Sequence, residues 1–552
     1  MERTISPSEL LASNEAIKPN GAVETSEAIP SSRRGSKFWL AFMACLVVDL
    51  LSALDLTAVS TALPTIVDEL HGKDFIWVGT AYMIASTAIL PLVGGLVSSF
   101  GRKPLLLIFT SFFAIGSAVC GAAKSMDMLI AGRAIQGIGG GGCISVTEII
   151  YADLVPLPER GKFLGIISMV WAFACAIGPP IGGSLAQSGS WRWLFYLNIP
   201  LCGLAFVLVL VFLTVRTPRS GFKKMMATMD WAGLVLIIFG TVAISIALTW
   251  GGVKFSWTSK QVLILLCLGV ASMLVFLGVE FKLAKTPTIS PFVFTNRTTL
   301  SGYITTSLHS IVAMGAIFYL PVYFQACKLA SPIHSGIDLF GISLVIPVFD
   351  KYRPQNYLGW MFIIVGFGLL TMLDENSSQA AYIGYQVILA IGLGIVWIAI
   401  QFPVLAPLPI SNNAHALAFF TFTRSFSWAR SPTFIWGTVI GGAILQNSLA
   451  DKLPSEVLEA LGSNTQLIYA VIPQLHTLTP DLQTKVRIVF ADGLRAVWFT
   501  MLGISGLGFL TCLSLMKEVK IRKAQDESWG LAEAKGKARD TVTTNRNESE
   551  SA

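Results

Sequence analysis

Five charged residues stand where an apolar helix would have to bury them: Asp49, Asp55, Arg133, Glu148 and Arg424. A charge at the centre of a membrane helix costs about 2.5 to 3.5 kcal/mol on insertion scales, so such residues are read first as proton, ion or substrate contacts. Asp55 lies in Leu54-Asp55-Leu56-Thr57, six residues beyond Asp49 and therefore about 120° around the helix from it. The two acids are expected to meet different neighbours. Asp55 is the candidate for a protonatable or substrate-facing group, with a buried ion pair as the plainer reading. Arg133 lies in Gly132-Arg133-Ala134-Ile135-Gln136-Gly137, followed by Gly139 to Gly142. Arginine keeps its proton, so Arg133 is expected to tune a nearby carboxylate and not to carry protons itself. The glycines beside it read as a packing face.

These groups need helices in lipid to position them. The 552 residues are 53% hydrophobic and 13% charged, against about 25% charged in soluble chains, and the mean hydropathy is +0.67. That is an all-α, multi-pass membrane protein. The net charge of +7 does not indicate nucleic acid, because the basic residues sit in short loops and tails instead of on one face. Eight cysteines are scattered singly, with no CxxC and no histidine at ligand spacing, and read as core residues without disulfides or metal. No GxxxxGK[ST] loop for ATP occurs, and no serine, histidine or metal cluster stands at catalytic spacing, so neither an enzyme nor a cofactor is expected. The polar first 37 residues carry no signal-peptide pattern.

A helix needs about 20 residues to cross about 30 Å of hydrocarbon. Fourteen stretches are candidates: 38–63, 75–97, 105–123, 129–151, 163–186, 193–215, 231–250, 261–280, 299–324, 336–349, 357–373, 381–406, 415–445 and 494–516. The loops after even-numbered spans hold 13 Lys and Arg and the alternate loops 6. Cytoplasmic loops carry that excess, which puts both termini in the cytoplasm. Two spans are irregular. The tenth has eleven uncharged residues from Leu339 to Phe349, too few to cross unaided. The thirteenth is overlong and contains Arg424, Arg430 and Pro432.

Three further motifs complete the pattern. Gly94-Gly95-Leu96-Val97-Ser98-Ser99-Phe100-Gly101-Arg102-Lys103-Pro104 is a basic turn after span two. Gly178-Pro179-Pro180-Ile181-Gly182-Gly183 places helix breakers inside span five. Trp191-Arg192-Trp193-Leu194-Phe195-Tyr196-Leu197-Asn198-Ile199-Pro200 opens span six. Adjacent prolines in a membrane helix survive where neighbouring helices or a cavity satisfy the freed backbone groups.

With Leu54 to Thr57 and Arg133 to Gly137, these motifs make the chain resemble a major facilitator superfamily transporter of the fourteen-helix drug:proton antiporter type, similar to fungal toxin and multidrug efflux carriers, over residues 38–530. The resemblance implies two six-helix bundles, 38–215 and 299–516, around a central cavity. A linker at 216–298 would add two helices, and the second bundle would include an extracellular segment at 446–493. A disordered cytoplasmic tail at 1–37 and a cytoplasmic tail at 517–552, disordered after Trp529, would complete the chain. It further implies alternating access, proton coupling and substrate contact at Asp55, Arg133 and Gln136, an antiporter motif in Gly178, Pro179, Pro180, Gly182 and Gly183, and a cytoplasmic gating loop in Gly94, Gly101, Arg102 and Lys103.

The family pattern is broken at three places. Ser98 stands where the family usually has an acid, the tenth span is short, and nine residues separate Phe426 from Trp436. His309 and Gln325, Gln386 and Gln401 are secondary polar candidates. Asn376-Ser377-Ser378 is a glycosylation sequon on the expected outer side. The expected activity is export of amphipathic small molecules against protons by a monomer in the plasma membrane, ahead of the vacuolar membrane. A nutrient facilitator or symporter, and a receptor or defective product that no longer transports, are the alternatives.

Overall fold

The computed structural model describes residues 35–70, 76–213, 230–251, 255–282, 296–330, 351–409, 412–428, 435–453 and 478–519, with Ile472 and Leu475. The tenth span at 336–349, Arg430 to Pro432, most of both tails and most of the chain between Leu453 and α16 fall outside these. The described chain is almost wholly helical. Its helices are α1 (Ser36–Leu70), α2 (Ile76–Phe100), α3 (Arg102–Gly121), α4 (Met126–Leu154), α5 (Arg160–Gln187), α6 (Trp193–Tyr196), α7 (Asn198–Phe212), α8 (Trp231–Trp250), α9 (Lys260–Lys282), α10 (Arg297–Cys327), α11 (Tyr352–Leu370), α12 (Gln379–Ala399), α13 (Gln401–Leu405), α14 (Asn413–Trp428), α15 (Ile435–Lys452) and α16 (Pro480–Leu515).

Ten of the described helical segments are long and apolar enough to cross a membrane. Several begin on polar caps that satisfy their first N–H groups: Ser125 accepts from Met128, Asp230 from Gly233, Asn296 from Thr298 and Thr299, and Ser378 from Ala381. Large apolar side chains such as Ile115, Met169, Phe173, Val235, Leu274 and Leu510 point outward. In water that surface would be a liability, whereas lipid is as apolar as the side chains themselves.

Helix packing divides the chain into two groups. Helices α1 to α7 pack on one another, α10 to α16 do likewise, and α8 and α9 form a pair of which α8 touches α2 and α15. The groups meet where α14 lies against α2 and α4, and α12 also touches α5. Helix ends identify two faces. At one, Arg102 pairs with Asp153, Lys103 reaches Leu210, and Phe38, Phe42, Tyr151 and Phe163 cluster. At the other, Glu69 at the end of α1 binds Trp191 and Arg192.

The second group shows the same two ends. Lys517, just past α16, binds Thr298 and Tyr352 at the starts of α10 and α11, whereas Arg487 near the start of α16 reaches Cys327 and Glu375 past their far ends. Helices α10 and α11 therefore run parallel, and Ala330 and Lys351 stand at opposite ends of the group. Span thirteen is described as α14 and α15, on either side of residues 429–434, which fall outside the described residues. The last helix starts at Pro480, fourteen residues before the expected start of the final span and inside the segment expected to lie outside.

Candidate functional site

Asp55 lies on α1 between these two ends, and the site is assembled around its carboxylate. Arg133 on α4 donates through Nη1 to Asp55 Oδ2 at 2.6 Å and to Gln136 Oε1 at 2.7 Å, and through Nε to the Val78 carbonyl at 3.0 Å. Gln136 Nε2 donates to Asp55 Oδ1 at 2.8 Å and to Ser117 Oγ at 2.8 Å. Asn198, at the start of α7, donates to the same Asp55 Oδ1 at 2.8 Å. Asp55, Arg133, Gln136 and Asn198 are all buried. The guanidinium also stacks on Tyr82, 4.4 Å from the ring centre.

This arrangement brings together the three residues expected from sequence and adds a fourth. Arg133 and Gln136 are one helical turn apart and so share a face of α4. An ion pair this deep is stable only with its remaining lone pairs satisfied, and Gln136 and Asn198 provide that. Asn198 was visible inside the quoted Trp191 to Pro200 motif, but nothing in its own segment indicates that it reaches α1. Asp49 meets different neighbours from Asp55, as expected. It accepts from Thr147 and Tyr151 at 2.8 Å each, so both acids meet α4, at different residues, because α1 crosses that helix over much of its length.

The span-five motif touches the same acid-bearing turn. A Cβ added at Gly178 would stand 2.1 Å from Thr57 Oγ1, and that hydroxyl is 3.1 Å from the Ala174 carbonyl. Glycine thus permits α5 to press against the Leu54 to Thr57 segment, and Thr57 gives α5 a hydrogen bond where its own ladder is about to fail. Pro179 and Pro180 lack the N–H groups that would bond Cys175 and Ala176. Gly182 is buried and Pro180 is exposed. A Cβ at Gly183 would meet nothing within 4 Å, and the side chain of Pro179 falls outside the described residues. A small pocket lined by Leu54, Asp55, Ala58, Val59, Ile181, Leu194, Leu197 and Asn198 joins the acid to this motif.

The glycines of α4 are packing positions. A Cβ at Gly137 would lie 2.2 Å from the Tyr82 carbonyl on α2, and one at Gly139 would lie 2.3 Å from the Phe113 nitrogen on α3. They let two backbones approach the helix that carries Arg133.

The basic loop is fixed differently. Gly101 has φ of 84°, open to glycine and strained for other residues. Arg102 Nε donates to Asp153 at 2.8 Å and Lys103 Nζ to the Leu210 carbonyl at 2.7 Å. Gly94 faces α14, where a Cβ would be 3.1 Å from Ala418 Cβ and from His415 Cα. His309 is held by the Leu393 carbonyl at 3.0 Å beside Trp360 and Trp397. Gln386 bonds its own helix at Tyr382, whereas Gln401 approaches Glu148. Asn376 is exposed in the loop between α11 and α12. No group of three or more His, Cys, Asp or Glu suited to a metal occurs among the described residues.

Known proteins place this geometry in context. The Major Facilitator Superfamily profile matches residues 45–432. The chain is similar to the efflux pump FUS6 of Gibberella fujikuroi, 36% identical with 91% of this chain and 93% of that one covered. It is similar to the MFS-type efflux pump LUC4 of a Fusarium species, 36% identical with 92% of each covered, and to the MFS-type transporter gkaD of Penicillium citrinum, 37% identical over 95% of this chain and 92% of that one. Among solved structures, the human organic anion transporter MFSD10 aligns with a TM-score of 0.54 at 13% identity over 87% of this chain and 100% of that one. The proton:xylose symporter XylE aligns with a TM-score of 0.53 at 12% identity over 88% and 96%. These likenesses extend over nearly the whole chain: it belongs to the Major Facilitator Superfamily.

Proposed function

We propose that this chain is an efflux transporter that exports amphipathic small molecules in exchange for protons by alternating access. The observation that carries the reading is the buried Asp55 carboxylate, held by Arg133, Gln136 and Asn198 and lining the pocket that Ile181 of the span-five motif also lines. The curated relatives named as efflux pumps support the direction of transport.

In this mechanism a proton arriving from outside neutralises Asp55 and removes the charge that Arg133 grips. The Asp55 to Arg133 contact then weakens, and α1 is free to shift against α4. Because Gly178 and Thr57 lock α1 to α5, the two helices move as one wall of the cavity. Arg133 and Gln136 remain on α4 as the fixed side of the switch. Residues 38–215 and 299–516 act as the two rocking units, and the loop of Gly94, Gly101, Arg102 and Lys103 forms part of the inward gate. The Lys and Arg bias sets both termini in the cytoplasm and the Asn376 loop outside. The transporter works as a single chain in the plasma membrane, without ATP.

The test is accumulation of amphipathic compounds by inside-out vesicles. Uptake is expected when the lumen is acid relative to the outside, with no ATP added. Uptake that ignores the gradient, or that requires ATP, overturns the proposal.

A further inference from the structure

Among the described residues, the donors to Asp55 all lie inside the first helix group. Arg133 and Gln136 stand on α4 and Asn198 on α7. Behind them, Gln136 is backed by Ser117 of α3 and Arg133 by Tyr82 of α2. The seam between the two groups has other polar contacts. There Glu148 of α4 receives Nη1 and Nη2 of Arg424 at 3.3 and 3.1 Å, and Ser98 of α2 meets His415 at 3.2 Å. The Asp55 carboxylate is thus turned into its own group and not toward the seam.

Three of the packing lines around this carboxylate are closed by glycines. A Cβ at Gly116 would collide with the Gln136 backbone, one at Gly137 with the Tyr82 carbonyl and one at Gly178 with the Thr57 hydroxyl, so α3 and α2 are pressed on α4 and α5 on α1. Helices α5 and α7, by contrast, pack little on each other among the described residues. The pocket beside Asp55 occupies that gap, and it extends in one direction. Helices α1 and α5 run from the basic-loop end toward the Glu69 end, and α7 runs back from it. Ala58 and Val59 follow Asp55 on α1, Ile181 follows Gly178 on α5, and Leu194 and Leu197 precede Asn198. The pocket therefore reaches from the acid toward the Glu69 end.

Size and lining limit what can enter. The pocket has room for about one water molecule, far too little for an amphipathic substrate. Apart from Asp55 and Asn198 its lining is apolar, and Ile181 and Leu194 join Leu185 and Trp191 in an apolar cluster. Narrow apolar constrictions gate by wetting and dewetting. Leu197 is 36% exposed at the rim, and the Ser184 hydroxyl, nearly one turn beyond Ile181, is exposed.

We infer that this pocket is the proton's own entrance to Asp55, a single-water passage between α5 and α7 that the exported molecule does not use, with Leu197 positioned at its mouth. A water protonated from outside gives its proton to the Asp55 carboxylate there and is left neutral. The inference rests on the proton-coupled reading of Asp55.

The test adds a plug after folding. In full-length protein with the exposed Cys175 and Cys267 replaced by serine, Leu197→Cys is expected to react with a small membrane-impermeant methanethiosulfonate applied from the Glu69 end, equally fast with and without the amphipathic dye rhodamine 6G. After modification, dye uptake by inside-out vesicles with an acid lumen should fall to the rate seen at equal pH. Exchange at equal pH should be slowed far less, and dithiothreitol should restore the acceleration. Leu197→Trp should reproduce the loss. Failure of the cysteine to react from that side, protection by the dye, acceleration that survives modification, or equal loss of uptake and exchange each overturns the inference. The reading beneath it fails differently: acceleration that persists in Asp55→Asn defeats proton coupling at Asp55, whereas acceleration lost in Asp55→Asn but kept in modified Leu197→Cys defeats only the entrance.

Discussion

Asn198 and Asp55 are joined by a 2.8 Å hydrogen bond between α7 and α1. The bond completes the enclosure of a carboxylate that Arg133 and Gln136 hold from α4. Asn198 also lines the pocket beside Asp55, so it can follow the acid through its change of charge. A hydrogen bond to a charged group contributes about 1.5–3 kcal/mol. Asn198→Ala is therefore expected to lower proton-driven transport about tenfold per protein, measured as initial uptake by vesicles. An unchanged rate would remove Asn198 from the site.

Gly178 is predicted to be intolerant of even one methyl group. Its added Cβ would stand 2.1 Å from Thr57 Oγ1, and overpacking of this kind costs about 1–3 kcal/mol. Gly178→Ala should lower the melting temperature in detergent and slow transport. Adding Thr57→Ala, which removes the atom it strikes, should recover part of the stability.

The strap at the end of α1 predicts a pH effect. The hydrogen bond from Arg192, with a second from Trp191, holds the Glu69 carboxyl below its usual value of 4.5. A group lowered in the folded state stabilises it above the unfolded value and loses that contribution as pH falls through the folded value. The pair is substantially exposed, so its effect is small, about 0–1 kcal/mol. Glu69→Gln should lower the melting temperature slightly at pH 7, and the difference from wild type should shrink below pH 4.5.

Parallel α10 and α11 predict the sidedness of the chain around the short tenth span. Single cysteines at Ala330 and Lys351 should label from opposite sides of the membrane, Ala330→Cys from outside and Lys351→Cys from the cytoplasm. Labelling of both from one side would contradict the packing of Lys517 on Thr298 and Tyr352.

The helices and the central acid were legible in the sequence, because apolar length and buried charge are local signals. Asp55 and Arg133 could be chosen one by one on that ground, and Gln136 through the motif it shares with Arg133. Their register could not: helix periodicity states which residues share a face of α4 but not which acid of α1 crosses that face, and so Asp49 and Asp55 both meeting α4 was not foreseen. Long-range partners were likewise hidden. Glu148 and Arg424 each stood out as a charge in an apolar segment, yet they are separated by 276 residues, and no spacing rule connects them. Ser98 read as a missing acid, and its contact with His415 emerges only when α14 is laid on α2.

The central claim is that Asp55 carries the proton that drives export. Its most direct test is Asp55→Asn in inside-out vesicles, with substrate uptake measured with and without an acid lumen and substrate exchange at equal pH measured alongside. Asparagine can still bond Gln136 and Asn198 but cannot titrate. The account predicts that acceleration by the gradient is lost while exchange at equal pH persists. Gradient-driven uptake at the wild-type rate would contradict it.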